Sequence, residues 1–484
     1  MLNVLLWAPL ATALLVALLP RPAAAPVSFV GSLVTLGLAI GLVGDFDQGV
    51  PGLQHVVDAS WIPELGVRYQ LGVDGISLFL VLLTALLWTA TFAFAAWRQP
   101  DRARNYFFML GLGEFAALGA FLAQDLLLFV LFFDLMLVPF FFLIGSYGSG
   151  DRVRATIKMM VYTLVGSLLM LVGAIATAVL VGQETGEISF AMADLRANLL
   201  SEGSQQWIFG FFAAAFLVKM PAFPVHGWMP DAYRAAPLPV LALLSGVLSK
   251  VAAYGFLRVV LPIYPDATVH FQETILVIAT ASILYGSAMA FTQTNVRLIA
   301  GYSSIAQMGF ITLGVFALST DGADGAVLQM VNHGLVVAPV FFIIVLLGER
   351  FRTEDLREMG GGAARAPFLA ALFMILTLAT LAMPGTANFI GEFYILNSIF
   401  DAKLGFAVVA ALGVAMAAFY ALRMYQRTMH NRLPPGKESR EIGWRDGLVL
   451  TPLVALIIAL SLWPGLILER GEASVQDKIG AVSP

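Results

Sequence analysis

Long runs of apolar residues, separated by short polar segments, make up most of the chain. A helix needs about 20 predominantly apolar residues to cross a bilayer. Only helices and closed barrels satisfy their backbone hydrogen bonds in lipid, and these runs are too long for barrel strands. The pattern therefore predicts an all-α integral membrane protein. The fourteen predicted spans, numbered 1–14, are residues 2–20, 27–44, 73–97, 105–123, 125–147, 155–182, 206–222, 238–262, 271–291, 298–319, 323–348, 366–383 with a continuation to 400, 404–429 and 446–468.

The segments between the spans are mostly short, so we expect no separate water-soluble domain. Residues 45–72 form an acidic loop, and the amphipathic segment 183–205 is expected to lie along the surface. Residues 2–19 are long for the apolar part of a signal peptide and have no basic residues before them, which favours a first span. The alternative is cleavage at the alanines of residues 23–25.

The composition supports a membrane protein and excludes several kinds of site. Charged residues make up 12% of the chain and the mean hydropathy is +0.86, whereas soluble domains are about 25% charged. A net charge of −4 gives no reason to expect nucleic acid. The expected partners are the bilayer and other membrane subunits. Because the sequence has no cysteine, disulfides, thiolate nucleophiles, Cys-ligated zinc and iron–sulfur clusters are excluded from this chain.

The basic residues are unevenly distributed between the two faces of the predicted bundle. The loops after odd-numbered spans hold 19 of the 27 lysines and arginines. Cytoplasmic loops carry the excess of basic residues. This distribution therefore predicts that the odd-numbered loops are cytoplasmic and that both termini lie on the outer side.

Several ionisable residues fall inside the predicted spans or beside them. A charge at membrane depth costs about 2.5–3.5 kcal/mol or more, so such residues are candidates for function. No second ligand stands at a spacing suited to a metal ion, so no metal site is expected. The candidates are Glu114, Asp134, Lys219, Lys250 and Glu392, with His226 and His333 beside them.

The use of lysine points to proton transfer. The chain has six lysines and 21 arginines, and two of the lysines, Lys219 and Lys250, lie within spans. Arginine keeps its proton at any accessible pH, whereas a lysine in an apolar site can lose it near neutrality. A site that loads and releases a proton therefore needs lysine. The alternative is a lysine whose side chain snorkels to the membrane surface.

Two spans are predicted to be broken by proline. Span 7 contains Pro221 and Pro224 just after Lys219, and span 12 contains Pro384 shortly before Glu392. Paired interruptions in two halves of a chain indicate a transport site built from inverted repeats. We expect two inverted five-helix repeats, spans 4–8 and 9–13. The units are residues 1–104 with spans 1–3, 105–265, 266–430, and 431–484 with span 14 and the tail.

The remaining candidates are interpreted by their positions relative to the lysines. Asp134 is the natural partner of Lys219 in the first repeat, although a static buried ion pair is the alternative. Glu114 belongs either to a proton path or to a contact with a neighbouring subunit. His333 and His226 are either satisfied core residues or relays that link the lysine sites.

The chain resembles the subunit M family of proton-translocating NADH:quinone oxidoreductase (complex I) along nearly its whole length. The segments that carry the resemblance are Leu71-Gly-Val-Asp-Gly-Ile-Ser77, Asp134-Leu-Met-Leu-Val-Pro139, Lys219-Met-Pro with Val-His-Gly-Trp-Met-Pro-Asp231, Lys250-Val-Ala-Ala-Tyr-Gly255, Tyr302-Ser-Ser with Met-Gly-Phe310, Met383-Pro-Gly-Thr-Ala-Asn-Phe-Ile-Gly-Glu-Phe393 and Trp463-Pro-Gly. Each segment is modest alone, but their order and spacing together are specific.

The resemblance implies a proton-translocating, antiporter-like subunit of the bacterial inner membrane. Lys219 matches the central lysine of span 7 and Lys250 the connecting lysine of span 8. His333 matches the histidine of span 11 and Glu392 the terminal acid of span 12. The chain would be part of an enzyme without holding a redox centre. NADH, FMN, iron–sulfur clusters and quinone are expected on partner subunits, and the membrane neighbours include other antiporter-like subunits.

Two departures from the family pattern concern the proton path. Asp134 stands where the family has glutamate, so its contact with Lys219 is expected to need water. Gln307 stands where the family usually has histidine, and it cannot titrate. Two alternative functions stay open. One is a subunit of a monovalent cation/proton antiporter, against which Glu392 in place of lysine argues. The other is a membrane subunit of a related hydrogenase or CO₂-hydrating complex.

Overall fold

The structure, a computed structural model, describes residues 1–482 and is a helical bundle with one β-hairpin. Within these residues, eleven helices are long and apolar enough to cross a membrane. The helices are α1 (Leu2–Leu18), α2 (Arg21–Gly44), α3 (Gly75–Ala96), α4 (Ala103–Leu122), α5 (Leu126–Leu135), α6 (Leu137–Tyr147), α7 (Arg152–Thr185), α8 (Met192–Ala197), α9 (Glu202–Lys219), α10 (Met229–Ala235), α11 (Leu238–Leu243), α12 (Ser249–Gly255), α13 (Leu261–Ile263), α14 (Pro265–Thr292), α15 (Val296–Val315), α16 (Thr320–Phe351), α17 (Pro367–Thr380), α18 (Ala387–Ala402), α19 (Leu404–Met429), α20 (Trp444–Leu462) and α21 (Gly465–Ile479).

The centre of the bundle is formed by three helical segments. In the most apolar 18-residue stretch of Leu238–Ile263 and of α15, 100% of the residues are buried, and in that of α16 the share is 94%. In the corresponding stretches of α2 and α20, only 28% of the residues are buried. Lys250 and His333, which the central segments carry, are therefore enclosed by protein, whereas α2 and α20 present most of their surface to the surroundings.

Two of the predicted spans contain local irregularities that the sequence analysis did not predict. The fifth span is divided at Met136 into α5 and α6, directly after Asp134. The span that contains Lys250 has π-helical turns at residues 244–248 and 256–260, on either side of α12. π-turns widen a helix locally and occur often at functional sites. Both irregularities lie beside candidate residues.

The acidic segment 45–72, predicted to be a loop, contains an antiparallel hairpin. Strand β1 (Gln54–Ile62) pairs with β2 (Val67–Val73). Four of their residues are valine, and Trp61, Ile62 and Tyr69 are likewise of types that suit a half-buried pleated surface. The turn ends at Gly66, whose φ of 68° falls in the left-handed region that glycine tolerates. The bundle is therefore helical with one short sheet outside its spans.

The C-terminal region also differs from the predicted span 446–468. Helix α20 ends at Leu462, and Pro464 precedes a separate helix, α21, which packs against α3, α13 and α16. An ion pair of 2.6 Å between Arg196 and Asp477 fastens α21 to the segment that follows α7. Partial burial alone would raise the pKa of Asp477, but hydrogen bonds from Arg196 and Lys478 hold it at about 2.

The chain leaves helical conformation at both proline-containing segments. Helix α9 ends at Lys219 and the chain becomes helical again at Met229. Helix α17 ends at Thr380 and α18 begins at Ala387, with Gly385 between them at a φ of 93°. Proline lacks the amide proton that a continuous helix would need, so both interruptions follow from the sequence.

Candidate functional site

Lys219 lies at the end of α9 with its ammonium group directed at α5. Its Nζ donates a hydrogen bond of 2.9 Å to the backbone oxygen of Phe133 and lies 4.2 Å from the centre of that ring. Asp134 follows Phe133, and its Oδ1 is buried without a hydrogen-bond partner. Across the part of the chain that the structure describes, Lys219 makes no direct ion pair. The two charged groups are neighbours without a direct ion pair.

A small cavity connects Lys219 with the helix that carries Lys250. It has a volume of about 20 Å³, and its wall includes Lys219, Thr163, Tyr233 and Ser249. A cavity of about 10–15 Å³ or more has room for a water molecule when polar groups line it. Ser249 Oγ lies 3.4 Å from the Nζ of Lys250. The cavity is therefore the place where one water can bridge the two lysine sites.

Lys250 and His333 meet in the middle of the bundle. The Lys250 Nζ lies 2.7 Å from the Nδ1 of His333 and 2.5 Å from the backbone oxygen of Ser245. The Lys250 side chain is fully buried, and His333 is 3% exposed. The carbonyl of Ser245 lies in the π-turn at residues 244–248, so the widened helix supplies an acceptor to the lysine.

A second small cavity begins on the other side of His333. Its volume is about 20 Å³, and its wall includes His333, Ser303, Gln307, Asn388 and Tyr420. The side-chain nitrogen and oxygen of Asn388 and the hydroxyl of Tyr420 are buried without a hydrogen-bond partner. Buried polar groups normally have partners, often an ordered water. The cavity therefore has both the volume and the polar atoms that a water molecule requires.

Glu392 ends a chain of side-chain amides. Its Oε1 accepts a hydrogen bond of 2.7 Å from Gln307, and Gln307 Oε1 accepts one of 2.7 Å from Gln329. Glu392 is 4% exposed. Gln307 also lines the cavity beside His333. The glutamine at this position therefore joins the acid to the histidine side of the bundle, although glutamine itself does not titrate.

The neutral polar residues of this region were not predicted from the sequence. Ser245, Ser249, Asn388 and Tyr420 contact the line of ionisable groups or its cavities, and Gln329 reaches that line through Gln307. Glutamine and asparagine inside strongly apolar spans are the feature that would have identified two of them, because buried amides need hydrogen-bond partners.

Glu114 and His226 lie apart from this line. Glu114 is 1% exposed in α4, and its Oε1 has no hydrogen-bond partner. The His226 ring packs against Phe223 and Tyr285, with ring centres 5.8 and 4.6 Å away. No hydrogen bond within residues 1–482 joins either residue to the lysines.

Arg258 is also buried, near the end of the span that contains Lys250. It is 6% exposed and forms an ion pair of 2.5 Å with Asp74, the N-cap of α3. It also donates to Gln124. The pair joins the central span to the first residues of α3 and α5, which indicates a structural role. As for metal, residues 1–482 contain no group of three or more histidine and acidic side chains suited to an ion.

Comparison with known proteins gives a consistent result. A family described as "NADH:quinone oxidoreductase/Mrp antiporter, TM" matches residues 123–417. The chain is 36% identical to NADH-quinone oxidoreductase subunit M of Rhodobacter capsulatus, over 97% of this chain and 94% of that protein. It is 34% identical to NADH-quinone oxidoreductase subunit M of Escherichia coli strain K12, over 92% and 90% of the two chains.

Solved structures resemble the fold over the whole chain. Respiratory complex I from Thermus thermophilus with bound NADH contains a chain that superposes with a TM-score of 0.91 at 29% identity, covering 100% of both chains. The Mrp complex from Dietzia sp. DQ12-45-1b contains one with a TM-score of 0.86 at 22% identity, covering 99% of this chain and 98% of that one. The second likeness concerns the fold alone.

Proposed function

Since this chain belongs to the NADH:quinone oxidoreductase/Mrp antiporter family, as an antiporter-like membrane subunit of complex I of the subunit M type, we propose that its buried ionisable residues carry protons across the membrane. The proposed path begins at Asp134 and Lys219, passes through Lys250 and His333, and ends at Glu392. The redox chemistry takes place elsewhere in the complex, where NADH, FMN, iron–sulfur clusters and quinone are expected on partner subunits.

The observation that carries the proposal is the Lys250–His333 contact of 2.7 Å between two small cavities. One cavity touches Lys219, and the other touches Gln307, whose amide bonds to Glu392. Each gap between titratable groups is therefore filled by a polar side chain or by space for about one water. A static core would not need this succession of donors and acceptors at membrane depth.

Asp134 and Lys219 are proposed as the loading unit. An acid beside a lysine favours the charged form of both, and greater separation favours release of the lysine proton. Movement of either side chain would change this balance, because charges interact strongly in a low-dielectric interior. The interruption after Lys219 and the division of α5 from α6 next to Asp134 support such movement. Changes in the quinone-reducing part of the complex are expected to drive it.

The architecture around the path is proposed to consist of fourteen spans with two inverted five-helix repeats. The spans of residues 105–265 would form the first repeat and those of 266–430 the second, with 1–104 and 431–484 flanking them. The interruptions after Lys219 and Thr380 support the correspondence of the two halves. The distribution of basic residues supports a multi-pass bacterial inner-membrane protein with both termini outside. Neighbouring antiporter-like subunits are its expected lateral partners.

Replacement of Lys219 by alanine tests the proposal in the intact complex. We expect Lys219→Ala to assemble but to lower coupled quinone reduction and proton pumping by roughly tenfold or more, since a positioned acid–base group contributes about 10²–10⁴-fold. The control is Lys158→Ala, which removes a lysine that pairs with Asp231 at 2.7 Å near the surface. A wild-type ratio of protons to electrons in Lys219→Ala would refute the loading role.

A further inference from the structure

A second feature, unrelated to the proton path, lies where α3, α4, α6 and α7 meet on the basic face of the bundle. The helices enclose an open cavity of about 500 Å³. We call it the arginine cavity, since Arg98, Arg102 and Arg152 line it together with Tyr106, Ser146 and Tyr147. Arg98 and Arg102 lie in the segment between α3 and α4, and Arg152 begins α7, so the fold brings the third guanidinium group to the other two.

The arginine cavity carries positive charge that the protein does not neutralise. Arg98 is compensated, because it pairs with Glu349 at 2.9 Å and with Asp446 at 3.0 Å. Among residues 1–482, Arg102 and Arg152 have no carboxylate partner; Arg152 donates only to a backbone oxygen, that of Gly148, at 3.0 Å. Asp101 is the one acidic residue in the wall. Two uncompensated guanidinium groups therefore face one carboxylate.

A neighbouring cavity on this face has a different wall. That cavity has a volume of about 360 Å³ and is lined by two acids and two arginines, Asp151, Asp231, Arg154 and Arg234. Lys158 pairs with Asp231 there, which leaves Asp151 beside the two arginines. Its excess of basic groups is therefore similar, but the cavity is smaller and has no aromatic residue in its wall, whereas Tyr106 and Tyr147 line the arginine cavity.

The surface below the arginine cavity is apolar. Phe142 of α6 and Ile157 of α7 are 43% and 51% exposed, and each lies five residues from the polar end of its helix. Val138 and Val161, nine residues from those ends, are 38% and 54% exposed. The two helices pack together, with Thr156 in van der Waals range of Gly145. An apolar strip about 13 Å deep therefore continues from the cavity into the membrane region.

We propose that the arginine cavity binds the phosphate group of an anionic phospholipid whose acyl chains lie along α6 and α7. Guanidinium groups bind phosphate oxygens in bidentate fashion with charge-assisted hydrogen bonds. Basic pockets between spans on the cytoplasmic side are suited to anionic headgroups. Tyr147 is the last residue of α6, and aromatic rings are enriched where spans meet the headgroup region. The apolar strip distinguishes this ligand from a free phosphate ion, which would need the arginines alone.

The test uses the intact complex, delipidated in detergent and supplied with phosphatidylglycerol, with retained lipid measured by native mass spectrometry. Arg102→Gln/Arg152→Gln should retain at least about tenfold less phosphatidylglycerol than wild type. The matched control, Arg104→Gln/Arg154→Gln, removes the same charge two residues away from each site and should retain it normally. Equal retention in the two double variants would overturn the proposal. Displacement of the lipid by 10 mM inorganic phosphate, a concentration of about the order of cellular phosphate, would identify a free-anion site instead.

Cysteine labelling keeps the proposal testable if the arginine variants fail to assemble. The natural chain contains no cysteine, so a single introduced thiol reports one position. Ser146→Cys, in the wall of the arginine cavity, should react with a maleimide several-fold more slowly in phosphatidylglycerol than in phosphatidylcholine nanodiscs. Ser149→Cys, in the wall of the smaller neighbouring cavity, should react equally in both lipids. Equal rates for Ser146→Cys in the two lipids would count against a bound anionic headgroup.

Discussion

Lys250 Nζ and His333 Nδ1 lie 2.7 Å apart in the most buried part of the bundle, although 83 positions separate the two residues in the sequence. At this distance a hydrogen bond joins the two nitrogens, and the tautomer of His333 decides which of them donates. Two positive charges in contact inside a low-dielectric interior would repel strongly. We therefore expect only one of the two side chains to be positively charged at a time. A second proton that arrives from the Lys219 side would therefore favour release towards Glu392.

The first prediction separates the hydrogen bond of His333 from its ability to titrate. The amide oxygen of asparagine can occupy nearly the position of Nδ1 and accept from Lys250, but asparagine does not accept a proton. We expect His333→Asn to assemble normally and to lower proton pumping by roughly tenfold. The measurement is pumping in vesicles at a fixed rate of NADH oxidation.

The control for that variant is His430→Asn, which changes an exposed histidine near the end of α19. It should pump like wild type. Normal pumping by His333→Asn as well would mean that the histidine acts only as a hydrogen-bond acceptor for Lys250, and the relay would then have to pass through water alone.

The second prediction concerns Asp134, which has a buried oxygen without a partner and lies beside Lys219 without touching it. Asp134→Asn removes the charge, whereas Asp134→Glu keeps it and moves the carboxylate about one methylene closer to the lysine. Pumping should fall by roughly tenfold in Asp134→Asn and stay within about twofold of wild type in Asp134→Glu. If all three forms pump equally, the carboxylate has no electrostatic role in loading.

The ionisable part of this site could be predicted from the sequence because charges are conspicuous in apolar runs. Lys219, Lys250 and Glu392 were identified by their cost at membrane depth, and the prolines beside them indicated where helices end. The Lys250–His333 contact could not be derived from spacing, because it depends on how α12 and α16 pack. The resemblance implied that both residues take part, but not that their nitrogens meet.

The features that escaped prediction have weaker sequence patterns. The hairpin of residues 54–73 lies in the segment predicted to be a loop, because its strands are partly polar. The π-turns around α12 follow from packing and leave no periodicity in the sequence. Helix α21 was partly merged with the last span because apolar residues continue past Pro464. In each case tertiary contacts, rather than local preference, decide the structure.

A third prediction concerns stability, at the ion pair between Arg258 and Asp74. Removal of one partner leaves the other charge buried, which costs about 3–5 kcal/mol. Arg258→Met and Asp74→Asn should therefore each lower the thermal stability of the complex. The double variant should lose less than the sum of the two losses, because neither charge is then left unpaired. Additive losses in a thermal-unfolding measurement would contradict direct coupling across the 2.5 Å contact.

The fourth prediction uses Gln307, which donates to Glu392 and accepts from Gln329 while lining the cavity beside His333. The side-chain amide of glutamine does not titrate, so it contributes no pH dependence of its own. Gln307→His places a group that titrates between about pH 5 and 8 at this point. Below that range the imidazolium would pair with Glu392 and hold it charged; above it, the neutral ring can relay a proton. Pumping by Gln307→His should therefore rise with pH relative to wild type, measured as the ratio of rates in vesicles from pH 5.5 to 8.

Gln307→Leu, which removes both hydrogen bonds and cannot titrate, should pump less than wild type by a constant factor over the same range. A pH-independent ratio for Gln307→His would mean that protons reach Glu392 without passing this residue.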